Sequence, residues 1–268
     1  MIADMHTHSC QSHDSPCKLE EMYQAQIAKG TEIFAVTNHI DIAFAKERDI
    51  FSVINGTKAE IENISLANGH KILFGIELGE GFWDKEICQK VLNYASYDVV
   101  LGSVHQVRYP GIDGPYSQVD FSALPQSVLE KFLDTYFDDI LTLLDTTDFD
   151  ILAHLTCPIR YMCVFHKRTI SLAPYRTKIE QILQKVIARD IALEVNTSNM
   201  KPLGQPMPDA DILRAYYKLG GRRITIGSDA HEVQYASRQF PEVLQLLKSI
   251  GFEHIYYYEQ RKPIALSI

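Results

Sequence analysis

The chain has 268 residues, 46% of them hydrophobic and 22% charged, with a formal net charge of −8 at pH 7. A chain of this length buries a sizeable core without disulfides, and a single α/β barrel commonly has this size. The acidity excludes the general positive field on which nucleic-acid binding relies, yet a local cluster of divalent cations would still admit an anionic small substrate.

Five cysteines, with no CxxC pair and no signal peptide ahead of them, are expected as reduced thiols in a cytoplasm. No apolar run approaches the length of a membrane span. In chain order, short apolar runs alternate with longer amphipathic segments. Runs at 2–5, 32–38, 71–77, 97–104, 149–155, 191–196 and 222–228 read as strands. Stretches at 18–30, 128–145, 175–190 and 209–221 read as helices, some ending at glycine. A last run at 254–259 is an eighth strand or a terminal extension. The loop 108–120 is the most linker-like stretch but is too short to divide the chain, so 1–268 reads as one domain. Apolar strands separated by helices belong to a parallel α/β sheet covered on both faces, and seven or eight such units favour a closed barrel.

The ends of the strands carry the chemistry. After the first come Asp4, His6, His8 and Asp14; the next four end in His39, Glu77, His105 and His154; the sixth ends in Glu194 and Asn196, the seventh in Asp229 and His231. Six of the ten histidines fall at these positions, which a parallel barrel gathers on its C-terminal face. His6 and His8, two apart, share one face of a strand. Imidazoles with carboxylates suit Zn, Mn or Fe better than Mg or Ca. The candidates are His6, His8, Asp14, His39, Glu77, His105, His154, Asp229 and His231. That is too many for one tetrahedral ion and enough for two or three, with Glu77, costly to bury unpaired, as a bridging carboxylate. Such a cluster can deprotonate water and stabilise phosphoryl oxygens during in-line attack.

Taken in order, DMHTHS with the following DS, then TNH, GIELG, GSVH, AHL and GSDAH resemble the polymerase and histidinol phosphatase (PHP) family of metal-dependent hydrolases, most nearly its monofunctional histidinol-phosphate phosphatases. The likeness spans residues 4–231. It implies a distorted (β/α)7 barrel with a three-ion centre. His6, His8, Glu77 and Asp229 would hold one ion, Glu77 with His105 and His154 a second, and Asp14, His39 and His231 the third. The family's spacing selects Asp14 over its neighbour His13. Arg160 in AHLTCPIRY matches a phosphate-binding arginine. Where some relatives have another arginine after the sixth strand, this chain offers Ser198 and Lys201.

The implied activity is hydrolysis of L-histidinol phosphate, late in histidine biosynthesis, by a metal-bridging hydroxide, with Arg160 neutralising charge and Asp229, His231 or a bound water protonating the leaving oxygen. The competing readings are a PHP-type phosphatase of another phosphomonoester or nucleotide, and a non-catalytic metal-binding module. The module loses ligands, whereas here all nine are present; a nuclease should show a basic channel. The expected partner is therefore a small phosphomonoester, with no nucleic acid or membrane; the sequence sets no oligomeric state. Asp4 is expected to orient a ligand imidazole, Asp41 or Asp113 to meet a substrate ammonium, and His166, Lys167 and Arg168 to form either a basic lip or a solvated loop.

Overall fold

The computed structural model describes residues 2–66 and 69–268. Seven parallel strands run side by side in chain order: β1 (Ala3–Thr7), β2 (Ile33–Asp41), β3 (Lys71–Gly79), β4 (Val99–Ser103), β5 (Ile151–Leu152), β6 (Ala192–Asn196) and β7 (Ile224–Gly227). Closure is by a parallel bridge between Thr7 and Ala230. There the Asp229 N–H donates to His6 O at 2.8 Å and the His8 N–H to Ala230 O at 2.9 Å. The result is a nearly closed barrel, as the alternating pattern implied. Helices α1 (Leu19–Ala28), α2 (Ile50–Glu62), α3 (Lys85–Leu92), α4 (Gln126–Thr146), α5 (Cys157–Arg160), α6 (Arg176–Ala188), α7 (Met200–Leu203), α8 (Ala210–Lys218) and α9 (Phe240–Ile250) lie between and after the strands. Asp49, Asp84 and Asp209 start α2, α3 and α8 by accepting first-turn N–H groups at 3.0–3.1 Å. None of the helices among the described residues is long and apolar enough to cross a membrane.

The barrel is a packed core. Met5, Ala35, Leu73, Leu101, Ala153 and Ala192 form one buried cluster, and Tyr257 and Tyr258 complete it. These tyrosines belong to β8 (His254–Glu259), which pairs antiparallel with β9 (Lys262–Ser267) in a separate two-stranded sheet. The run at 254–259 is thus a strand but not an eighth stave. Helix α9 precedes β8 and would allow a parallel return, but the bridge between Thr7 and Ala230 closes β1 on β7, and β8 instead pairs with β9 across the two-residue turn of Gln260 and Arg261, both at positive φ. The Tyr258 hydroxyl donates to Asp150 O at 3.1 Å, and Arg261 pairs with Asp150 at 2.9 Å. The hairpin therefore closes the N-terminal end of the barrel, opposite the strand ends that carry the histidines.

A bulge in β1 aims those histidines. Ala3 pairs with Ile33 and Asp4 with Phe34, but Thr7 pairs with Val36, so β1 holds one extra residue there. Ala3 and Ile33 lie in the interior cluster, whereas Phe34 and Val36 pack outside. Without the extra residue, strict alternation from Ala3 and Met5 would send His6 and His8 outward. With it, Thr7 turns outward and both imidazoles turn in.

Candidate metal centre

Above the apolar layer, the inward positions change character. His39 on β2 stands in register with Glu77 on β3. Two glycines make room there. A side chain at Gly79 would collide with Asp41 and lie 3.3 Å from His105 Nδ1; one at Gly227 would collide with Glu194 and lie 2.6 Å from His6 Cβ. His154 and Asp229, each two residues beyond the end of β5 and β7, both have positive φ. For residues other than glycine this backbone is uncommon and concentrates at functional sites.

Glu77 is fully buried, and five imidazoles face its two oxygens. Oε1 lies 2.7 Å from His154 Nε2 and 3.0 Å from His105 Nε2. Oε2 lies 2.9 Å from His39 Nδ1, 3.3 Å from His6 Nε2 and 3.6 Å from His8 Nε2. Asp229 Oδ1 is 3.6 Å from His6 Nε2 and 3.3 Å from His8 Nε2. Asp14 Oδ2, His39 Nε2 and His231 Nε2 form a triangle with sides of 3.4–3.5 Å. Ligands about 2.1 Å from a tetrahedral ion stand roughly 3.4 Å apart. The first group and the triangle match that spacing; the Glu77, His105 and His154 group is tighter. His8, His39 and His231 also offer nitrogens within 4.8 Å of one another, so the groups adjoin.

The outer ring nitrogens set the tautomers. His6 Nδ1 lies 2.7 Å from Glu194 Oε1, and His105 Nδ1 2.8 Å from Asp41 Oδ1. His8 Nδ1 lies 2.9 Å from Ser12 Oγ, whose one proton goes to Asn38 Oδ1, also at 2.9 Å. His231 Nδ1 faces Asp229 O at 3.1 Å. In each case Nδ1 must be the donor, so in their neutral form these four imidazoles turn the Nε2 lone pair toward the centre. The buried His6 Nε2, His8 Nε2, His39 Nδ1 and Glu77 Oε2 make no hydrogen bond, and the 2.9 Å approach of His39 to Glu77 is misaligned for one.

Charge leads to the same conclusion. Burial raises the pKa of Glu77 and Asp229, but neighbouring imidazoles hold both well below the carboxylate range. Burial lowers His6, His39 and His105, yet the carboxylates more than offset it, lifting His39 to about 10. Burial, together with His231 and His39, pushes His8 down. Without cations, protons on these imidazoles supply the positive charge that the buried carboxylates attract; divalent cations would supply it in their place and would meet the lone pairs of the neutral rings.

A cavity of about 720 Å³ opens over the cluster. Asp14, His39, His105, His154, Asp229 and His231 line it, as do Arg160, Ser198 and Lys201. All nine predicted ligands and the three predicted substrate contacts therefore converge. Arg160 Nη1 donates to Ser198 Oγ at 3.0 Å, and its buried Nε has no hydrogen-bond partner among the described residues. Asp14 Oδ2 makes the triangle with His39 and His231, while His13 also lines the cavity, its Nδ1 4.0 Å from Asp14 and its ring centroid 5.5 Å from that of His39.

Three expectations need correction. Asp4 touches no imidazole side chain: it accepts from Gln26, from both donors of Ser228 and from the His6 N–H, tying β1 to α1 and the β7 loop. The orienting carboxylates are Glu194 and Asp41; Asp41 is buried and lines the cavity but already meets His105 through Oδ1, whereas Asp113 is exposed and does not line the cavity. Arg168 donates to Phe121 O, Ser122 O and Leu124 O, holding a loop instead of forming a lip. Sequence reasoning also passed over Glu80. Buried and pushed up to about 8 by burial and the Asp41 charge, it accepts the His105 and Gln106 N–H groups. Its GIELGE context offered the only signal.

The PHP domain family model matches residues 4–198. A probable histidinol-phosphatase of Thermotoga maritima is 30% identical over 95% of this chain and 94% of its own length. One from Clostridium acetobutylicum is 27% identical over 96% and 97%. The crystal structure of a Lactococcus lactis histidinol phosphate phosphatase, complexed with Zn, L-histidinol and phosphate, superposes with a TM-score of 0.75 at 24% identity, covering 98% of both chains.

Proposed function

The chain belongs to the PHP domain family, and from that premise we propose that it is a metal-dependent phosphomonoesterase that hydrolyses L-histidinol phosphate to L-histidinol and phosphate. One observation carries the reaction class: five imidazoles face the buried Glu77 carboxylate, with Asp14, Asp229 and His231 beside them, beneath a cavity that also holds Arg160, which among the described residues has no carboxylate partner. The names borne by relatives aligned over nearly their full length support the substrate. That activity belongs late in histidine biosynthesis.

The residues divide the work. His6, His8, Glu77 and Asp229 would hold one ion, Glu77 with His105 and His154 a second, and Asp14, His39 and His231 a third, drawn from Zn, Mn or Fe. Bound there, the ions supply positive charge against the phosphoryl oxygens and acidify water. Glu194, Asp41 and Ser12 keep the ligand imidazoles in the tautomer that offers Nε2. Arg160, steadied by Ser198, neutralises phosphoryl charge at the cavity wall. Asp229 Oδ2, which among the described residues accepts a hydrogen bond only from Asn196 Nδ2 at 3.3 Å, is free to take the proton of the attacking water, which then passes to the leaving alcohol oxygen. His231 serves the ion-binding triangle more directly than it serves proton transfer.

The test is steady-state phosphate release from L-histidinol phosphate beside sugar phosphates, nucleotides and short single-stranded DNA, after chelation and resupply of Mn or Zn. Metal-dependent turnover of histidinol phosphate well above the panel supports the proposal. Preference for another phosphomonoester removes the substrate and keeps the chemistry; metal binding without any turnover removes both.

A further inference from the structure

Arg160 is not the only guanidinium at the cavity. Arg238, in the loop between β7 and α9, lines the same space. Its Nε and Nη2 donate to Ser228 O at the long distances of 3.3 and 3.2 Å, and its Cζ lies 4.6 Å from the Tyr235 ring centroid. Among the described residues Nη1 makes no hydrogen bond, and neither Arg238 nor Arg160 is ion-paired with a carboxylate. A part-buried arginine without a carboxylate has a desolvated charge available to an anion from outside. Burial depresses its pKa against the opposing charge of Asp229, and Arg160 adds to the depression, so the guanidinium stands within electrostatic reach of both the acidic cluster and the other cation. The loop is also built to hold it: Ser237 and Gln239, on either side, have φ of +43° and +56°. Left-handed backbone at two non-glycine residues is strain that the surrounding structure must sustain.

We propose that Arg238 is a second phosphate-binding residue, donating from the β7 side of the cavity to the phosphoryl group that Arg160 meets from the β5 side. The inference rests on the phosphatase reading and adds to it the residue that completes the phosphate clamp. Two guanidiniums from different strand ends constrain the phosphoryl group over the acidic cluster in orientation as well as position.

The experiment measures inorganic phosphate binding by calorimetry in the metal-loaded protein, for the natural chain, R160M, R238M and R238Q, with metal content checked in each. R238Q retains an amide donor for Ser228 O while removing the charge. Loss of a charged hydrogen-bond partner predicts phosphate binding weaker by roughly 10- to 100-fold in both Arg238 variants, as in R160M. kcat/KM for L-histidinol phosphate should fall in parallel, at unchanged metal content. Phosphate affinity within twofold of the natural chain in either folded variant overturns the proposal. So does failure of both variants to fold or load metal, which would assign Arg238 to the loop. If the natural chain binds phosphate but does not turn over histidinol phosphate, the substrate reading fails while the phosphate contact is still decided by the variants.

Discussion

Gly227→Ala tests whether the orientation of His6 is set by packing. A methyl group there would lie 2.6 Å from His6 Cβ and would also collide with the Glu194 carboxylate. Relaxed carbon contacts stand at about 3.5–4.0 Å, so β1 or β7 must shift by about 1 Å. Glu194 cannot yield freely, because its other oxygen holds the His154 N–H at 2.6 Å. A shift of that size breaks the 2.7 Å contact that fixes His6 Nδ1. Overpacking of this kind costs about 1–3 kcal/mol of stability. Losing an orienting partner weakens metal binding by roughly 10- to 100-fold, and a 1 Å misplacement of the site lowers kcat/KM by roughly 100-fold. The assay is a chelator-buffered metal titration, followed by kcat/KM at saturating metal and a thermal melt of the metal-free chain. Metal affinity and kcat/KM both within twofold of the natural chain would refute the packing argument, whatever the melt shows.

Four further outcomes are expected. Glu77→Ala removes the carboxylate shared by five imidazoles and should lower turnover by at least about 1,000-fold with bound metal reduced; normal activity would remove Glu77 from the centre. Arg160→Met should lower kcat/KM by roughly 100-fold while bound metal is unchanged, and a loss of metal instead would show that the arginine supports the ligands. Tyr258→Ala, at the far end of the barrel, should cost about 3–5 kcal/mol in denaturant unfolding, with kcat of the folded fraction preserved; an altered kcat would couple the hairpin to the site. Asp139 is raised to about 7 by burial and by Asp138, and its Oδ2 has no hydrogen bond. Its folded pKa exceeds its unfolded value, so stability declines as pH rises from about 4 through 7. Asp139→Asn should therefore stabilise the chain by about 1 kcal/mol at pH 8, after allowance for solvent screening, and by nothing below pH 4. An equal gain at both pH values would mean that charge is not the cause.

Much of this was legible in the sequence because a parallel barrel converts order along the chain into nearness in space. Each strand's last residue arrives on one face, so His39, Glu77, His105 and His154 could be placed from strand endings alone. What was not legible depends on register or on packing partners. The β1 bulge is visible only against β2, so the HxH spacing gave a shared face but not which face. Glu194 was noticed at the end of β6, yet nothing in EVN shows that it reaches His6. Asp4 sits beside the histidines in sequence, but its carboxylate meets α1 and the β7 loop. The run at 254–259 reads like the others because it is as apolar and follows a helix; what keeps it out of the barrel is the closure of β1 on β7 through Thr7 and Ala230, which sequence does not show. Arg238 stands seven residues beyond His231 with no motif around it, and the fold alone brings it to Arg160.

The most direct test of the central claim is to strip the protein of metal, restore Zn or Mn in counted equivalents, and follow bound metal and histidinol phosphate turnover together. The account predicts no turnover in the stripped chain, with activity rising as ions fill the site, up to three per chain. A fully loaded protein that never releases phosphate, or a stripped one that releases it undiminished, would contradict the account.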